Sequence, residues 1–321
     1  MRITAAIILA FFSLHCGGSP DDETSYPNRP VAYVVPWAAG GGTDTVSRMI
    51  ATVLQDYLGR PVNVLNRTGG GGVVGHLALA QAQPDGYTTG AITVELTMMH
   101  HQGLTNLTYE EYTPLALLVN NFAAVSVRAD APWDTLDDLL QDVRANPGRF
   151  RASGTSRGGI WDLARIGMLQ EAGLSSSDLP WIPSQGAAPA FQELLAEGVD
   201  VVTAALVEAG PLLKAGQIKV LGVMADERLD AFPDVPTLRE QGFDWTMSSW
   251  IGVGAPAGLP DAVRNRLSSA LEDAAEDAQY VEALERAGFN PQFLKADEFE
   301  SFIAEQDSVN GALLRAAGIA S

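Results

Sequence analysis

The apolar positions of this chain fall into two spacings that alternate along it. Short, nearly unbroken β-branched runs are followed by stretches in which apolar residues recur at helical intervals. That alternation predicts parallel strands covered by helices, the α/β class. The first unit is a strand over 31–35, with Val31, Tyr33, Val34 and Val35, ended by Pro36. Gly40, Gly41 and Gly42 make a turn, Thr43 and Asp44 are good N-cap residues, and Val46, Met49, Ile50, Val53 and Leu54 mark the buried face of a helix. A second copy follows at once: a strand over 60–66, the glycine loop TGGGGVVG over 68–75, and a helix starting with Val74, Leu77, Ala78, Ala80 and Gln81. Further strands are expected over 87–94, 115–119 and 123–127, the last crossing into a new domain.

The rhythm continues in the second half. A helix over 135–143 precedes a strand over 149–153, the loop SGTSRGG over 153–159, and an amphipathic helix over 160–172. A short strand over 181–183 leads through Gly186 into a helix over 189–196 with Pro189 in its first turn. Buried-type strands over 199–205 and 220–224 flank a helix over 207–215, and 248–254 reads as a crossing back. Two helices separated by 289–293 finish the chain.

These junctions carry the candidate chemistry. A strand, a bare glycine turn and a helix start present main-chain N–H groups at the positive end of a helix dipole, which suits a carboxylate or phosphate. Two such loops in consecutive parallel units emerge at the same carboxyl edge, where ligands of open α/β sheets sit. Gly70, Gly72 and Gly75 also satisfy the dinucleotide spacing GxGxxG, with Glu95 near the distance of a ribose-binding acid. Against that reading, the fingerprint belongs in the first unit of such a fold, and here it lies in the second. His100 and His101 are adjacent, with no second ligand pair at helical spacing, so they are read as loop or ligand-lining residues and no metal site is expected. No Ser-His-Asp spacing, zinc motif or paired catalytic carboxylates support catalysis, and no catalytic residue or cofactor is assigned.

Composition narrows the class. The chain has 321 residues, 46% of them hydrophobic, enough for about two domains. A net charge of −19 and a pI near 4.4 argue against nucleic acid, which needs clustered Lys and Arg. Arg2 followed by the apolar run 3–12 has the layout of an export signal, taken as residues 1–15. Cys16 stands directly after it, as at the processing site of a bacterial lipoprotein, although Ser13 and His15 depart from that pattern. Residues 16–25 would then form a polar tether, and the alternative is an ordinary secreted protein. As the only cysteine, Cys16 has no internal disulfide partner.

The segments PWAAGGGTD, NRTGGGGVVG, PDGYT, GAAPAFQELLAEGVDVV, LLKAGQIKVLGV, FPDVPTLREQGF, SSWIGVGAPAGLP and LLRAAGI occur in this order. Together they resemble the substrate-binding receptors of tripartite tricarboxylate transporters, the Bug or TctC family, over 26–319. The resemblance implies a periplasmic-binding-protein fold with two α/β lobes, a ligand cleft and two crossovers. Lobe 1 is expected to comprise 26–123 and 249–321, and lobe 2 124–248. It implies a periplasmic, non-enzymatic receptor that delivers a di- or tricarboxylate or an acidic amino acid to integral-membrane subunits; the placement of Cys16 adds the expectation of a lipid anchor. An exported sensor or a dinucleotide-dependent enzyme is the alternative.

By the same resemblance, one carboxylate of the ligand falls on Ala38, Ala39, Gly40, Gly41, Gly42 and Thr43 and on Gly69, Gly70, Gly71 and Gly72, and Asp44 beside the first loop is taken as a further ligand candidate. Ser153, Gly154, Thr155 and Ser156 would close on it from lobe 2. Pro183, Ser184, Gln185 and Gly186 stand where the family often has a lysine-containing turn. Arg157, Trp161 and Asp162 replace smaller or different family residues, and Trp37 and Glu95 flank the first lobe's loops. These departures are expected to choose the ligand's far end.

Overall fold

β1 (Val31–Val35) is buried on both faces, Val31, Tyr33 and Val35 toward one apolar cluster and Val34 toward another, which is why its sequence shows no polar alternation. A computed structural model describes residues 26–184 and 186–319, so the expected export signal, Cys16, the expected tether and Gln185 lie outside the described residues. After β1 come α1 (Gly42–Leu58), β2 (Val62–Asn66), α2 (Val73–Ala80) and β3 (Thr88–Thr93). β2 and β3 flank β1 in parallel register, Val34 standing opposite Leu65 on one side and Gly90 on the other. The glycine loops after β1 and β2 therefore leave the same edge.

β4 (Tyr112–Arg128) is a single strand of 17 residues where the apolar pattern suggests two. Asn120 and Asn121 interrupt that pattern, yet the backbone stays extended through them because the later strand β9 (Ser248–Pro256) pairs with it, Trp250 opposite Asn120 and Ser249 opposite Asn121. The first half of β4 lies between β9 and β10 (Pro291–Lys295). Its second half lies between β7 (Val201–Ala205) and β8 (Ile218–Val223). One strand thus belongs to both sheets and forms the first crossover. The second is at Met247, whose carbonyl accepts the Ala123 N–H at 2.9 Å.

The second lobe repeats the α/β order. α3 (Leu136–Ala145), β5 (Ala152–Ser153), α4 (Ile160–Glu171), β6 (Trp181–Ile182), α5 (Ala187–Leu195) and α6 (Leu206–Lys214) join β7 and β8, with β6, β5 and β7 parallel. The chain ends on α7 (Asp261–Glu276), α8 (Ala278–Ala287) and α9 (Ala296–Ala316) around β10. The expected single helix before β10 is two, because Asp277 turns extended (ψ 129°) and its side chain accepts the Gln279 N–H at 2.8 Å as a new N-cap. One apolar cluster runs from Val34 and Ile92 through Leu163 to Val201, continuous across both lobes. β9 packs on α9 through Trp250 and Phe299, edge to face at 5.5 Å, with no room for a side chain at Gly252.

Candidate functional site

The strand directions bring the predicted loops together. β3 runs parallel to β1 and ends at Thr93 beside Ile251, which stands opposite Val119 of β4. From the other side, β7 runs antiparallel to β4 and ends with Ala205 opposite Ala123. The carboxyl ends of both parallel sets therefore meet at the middle of β4, where the chain crosses between lobes.

In the first loop the helix starts one turn earlier than its side chains suggest. Gly41 is the N-cap of α1, with no side chain to cap it, so the N–H groups of Thr43 and Asp44 lack the usual capping oxygen. Asp44, read from sequence as a cap and a ligand residue, instead sits inside the first turn at 3% exposure. Its carboxylate accepts the Gly40 N–H at 2.8 Å, Asn66 Nδ2 at 2.8 Å and Arg48 Nε at 2.9 Å. Burial pushes its pKa up, but these three bonds prevail and hold it below the usual carboxylate value. Asn66 also donates to the Trp37 carbonyl at 2.9 Å, so Asp44 and Asn66 clamp the 37–40 backbone from within.

The second loop is built differently. Gly69, Gly70, Gly71 and Gly72 all have φ between 59° and 132°, a region that side chains avoid, so the loop requires glycine throughout. A side chain at Gly71 would meet no protein atom within 4 Å. Gly75 seats α2 against the first loop: a Cβ there would lie 2.4 Å from Pro36 Cα and 2.5 Å from the Arg67 carbonyl. Close packing thus accounts for the third glycine of the GxGxxG spacing.

A buried chain of hydrogen bonds joins both loops to Glu95. His76 Nδ1 lies 2.8 Å from the Gly72 carbonyl, and since a carbonyl only accepts, Nδ1 carries the proton. Nε2 then accepts the Thr93 N–H at 3.3 Å. The Thr93 hydroxyl receives Trp37 Nε1 at 3.3 Å and donates to Glu95 at 2.6 Å. Burial drives the His76 pKa down to about 4, the Gly72 carbonyl opposing only in part. Burial raises the pKa of half-buried Glu95, with the Thr93 bond opposing. Nothing in the letters announced His76 or Thr93; the link exists only once β3 and α2 are packed.

The second lobe repeats the device of the first. Gly159 is the N-cap of α4, and buried Asp162 accepts the N–H of Gly158 at 2.9 Å, as Asp44 does for Gly40. Gly40 and Gly158 both have positive φ, 81° and 69°. An arginine follows each acid: Arg48, half its side chain exposed, and Arg165, at 4%. Arg165 meets Asp162 at 2.6 Å and donates to the Ser176 and Leu179 carbonyls. This GG-x-x-D repeat, GGGTD and GGIWD, stands in the sequence as a signal that the reading by periodicity passed over.

The remaining predicted residues divide into loop frame and loop tip. Ser153 Oγ donates to the Ile182 carbonyl at 2.7 Å, and the Thr155 carbonyl accepts the Ser184 N–H at 2.9 Å. Gly154 leaves no space for a Cβ, which would meet the Thr203 carbonyl at 2.3 Å. Ser156 is exposed, and Gly186 is the N-cap of α5. Trp161 is 6% exposed and packs behind the loop, its carbonyl taken by Thr203. Arg157 is exposed and lines a cavity of about 280 Å³ with Arg165, Trp181, Ala317 and Ile319, away from the glycine loops. Across the lobes, Gln102 Nε2 donates to the Gly158 carbonyl. Glu208, missed from sequence, lies in the first turn of α6 just after β7; burial pushes its pKa up to about 7, against a bond from the Ala205 N–H.

Comparison with known proteins agrees with this architecture. The model of the tripartite tricarboxylate transporter family receptor, TctC, matches residues 46–319. A UPF0065 protein of Bordetella pertussis is 31% identical over 319 residues, covering 98% of this chain and 96% of its own. MatC of Rhodopseudomonas palustris, solved with bound malate, superposes with a TM-score of 0.78 at 26% identity, covering 90% of this chain and 100% of that one. A second R. palustris protein, solved with adipate, reaches 0.82 at 25% identity, covering 92% and 99%. The chain belongs to the TctC receptor family of the tripartite tricarboxylate transporters, whose structural relatives include a TctC solute-binding protein from Polaromonas and the periplasmic binding protein BugD.

Proposed function

We propose that this protein is an extracytoplasmic receptor that captures a small di- or tricarboxylate between its lobes and delivers it to integral-membrane transporter subunits. The observation that carries the reading is the pair of glycine loops at the carboxyl ends of the neighbouring parallel strands β1 and β2. One loop opens a helix with an uncapped first turn, and the other holds only glycine over 69–72. Main-chain N–H groups there would bind one carboxylate, offsetting a net charge of −19 by local dipoles. The malate and adipate held by two relatives are ligands of this chemistry.

Residues 26–123 with 249–321 would form one closing body and 124–248 the other, with Ser153–Ser156 approaching the ligand from the second. Trp37, Glu95 and Glu208 would line its far end. Cys16 would anchor the receptor to the membrane. The dinucleotide reading is weaker, because the GxGxxG spacing follows β2 and not the first strand of the sheet, and Glu95 is bonded to Thr93. Differential scanning fluorimetry against malate, adipate, citrate, acetate and NAD tests the proposal. A di- or tricarboxylate should raise the melting temperature and be recovered unchanged; stabilisation by NAD alone, or turnover of the acid, would overturn it.

A further inference from the structure

The fold adds to the adjacent histidines what the sequence around them lacks. His100 and His101 follow the 3-10 turn Val94–Thr97, and their rings lie 3.9 Å apart, directed to one side. On that side α9 brings Asp307, 206 residues after His101. His100 Nε2 stands 3.2 Å from Asp307 Oδ1, and His101 Nε2 3.5 Å from Oδ2. His101 Nε2 also lies 3.2 Å from the Asp307 carbonyl, so it carries the ring proton here, and an ion bound at this nitrogen requires that proton to sit on Nδ1 instead. One ligand atom from each of the three residues lies within 4.8 Å of the others. In a tetrahedral zinc site with bonds of about 2.0–2.1 Å, neighbouring ligand atoms are separated by about 3.3 Å.

We propose that His100, His101 and Asp307 form a binding site for a divalent transition-metal ion of the zinc class, completed by water. Two imidazoles and a carboxylate are a donor set that such ions prefer over magnesium or calcium. The contact between His100 and Asp307 is close but not a well-formed hydrogen bond. Asp307 Oδ1 is buried without a hydrogen-bond partner among the described residues, so its lone pairs remain available. The seat is shaped as well as charged. Gly311, one turn beyond Asp307 on α9, leaves the space that the His101 ring occupies, and a Cβ there would meet Nε2 at 2.5 Å.

The three side chains are 18–20% exposed, which lets an ion reach them from solvent. Their surroundings attract a cation: Glu111 acts on His100, and Glu110, Glu300 and Asp307 all act on neighbouring Tyr109. An ion here would fasten the 94–101 segment to α9. Gln102, next in the chain, makes the bond to Gly158 across the lobes, so the site would stiffen one end of that bridge.

Calorimetric titration of the full chain with ZnCl2, in excess magnesium to occupy scattered carboxylates, tests the assignment. One zinc per chain is expected. His100→Ala and Asp307→Ala should each weaken it on the order of tenfold or more. Gly311→Ala, which removes no ligand, should also weaken it by crowding His101. Asp297→Ala, an exposed acid at the start of the same helix, should leave it unchanged. No stoichiometric binding to the wild-type chain, or binding that survives both His100→Ala and Asp307→Ala, would overturn the proposal.

Discussion

Replacing His76 by asparagine should convert a buried pH dependence into a measurable one. The ring is wholly buried and neutral, donating from Nδ1 to Gly72 and accepting at Nε2 from Thr93. Its pKa is about 4 in the fold against 6.5 for the free side chain. The folded state therefore binds fewer protons than the unfolded state between these values. The stability this contributes is fully present above about pH 6.5 and is lost as pH falls toward 4, by about 3 kcal/mol in all. Glu208 has the opposite sign: its pKa is raised from 4.5 to about 7, so its ionisation destabilises the fold as pH rises through that range. The two slopes oppose each other, and only a difference between variant and wild type isolates either.

The shorter amide introduced by His76→Asn can keep the donor to Gly72 but not the acceptor for Thr93, and a buried N–H left unpaired costs about 1–3 kcal/mol. Urea unfolding of both proteins from about pH 7 down to about pH 4 reads the result. His76→Asn should be the less stable at neutral pH, and its stability relative to wild type should rise by about 3 kcal/mol as pH falls, enough to close or reverse the gap. A gap that stays constant over this range would refute a neutral, proton-excluding His76.

The paired helix starts predict unequal losses. Asp162→Asn strands buried Arg165 and should cost about 3–5 kcal/mol in urea unfolding, whereas Asp44→Asn leaves an Arg48 that can reach water and should cost less. Equal losses would contradict the assigned roles. At the export end, Cys16→Ser should release the protein in soluble form while wild type fractionates with membranes, with the lipid read by mass spectrometry. Hinge closure between the crossovers should shrink the radius of gyration on adding a dicarboxylate that stabilises the protein, as read by small-angle scattering.

How much of this was readable from the letters depended on the range of the cause. Strand and helix order follows local apolar spacing, so β1 to β3 and most lobe-2 units match their predicted positions closely, although the strand expected over 149–153 is only Ala152–Ser153. β4 did not, because Asn120 and Asn121 look like a break until β9 covers them. Asp44 looked like a cap because capping acids and acids inside the first turn share composition; only the Gly40 bond separates them. The glycine loops were legible because several consecutive glycines are hard to explain without a backbone that needs them. Arg157 and Trp161 stood out as unusual for the family, but which way they face is set by packing. Asp307 could not be joined to His100 by spacing at all.

The central claim is that main-chain groups of the glycine loops hold the ligand's carboxylate, and Gly71→Val tests it most directly when set beside Gly216→Val. Both positions have φ of 66° and no protein atom within 4 Å of an added Cβ, so both variants place a side chain on a left-handed backbone without a clash. Only Gly71 lies in the proposed site. Isothermal titration with malate, adipate or citrate, whichever stabilises the wild type, compares them. Loss of a charge-assisted hydrogen bond is worth about 1.5–3 kcal/mol, roughly ten- to a hundredfold in affinity. Gly71→Val should lose that much while Gly216→Val binds as wild type. Undiminished binding by Gly71→Val, or equal loss in both variants, would contradict the account.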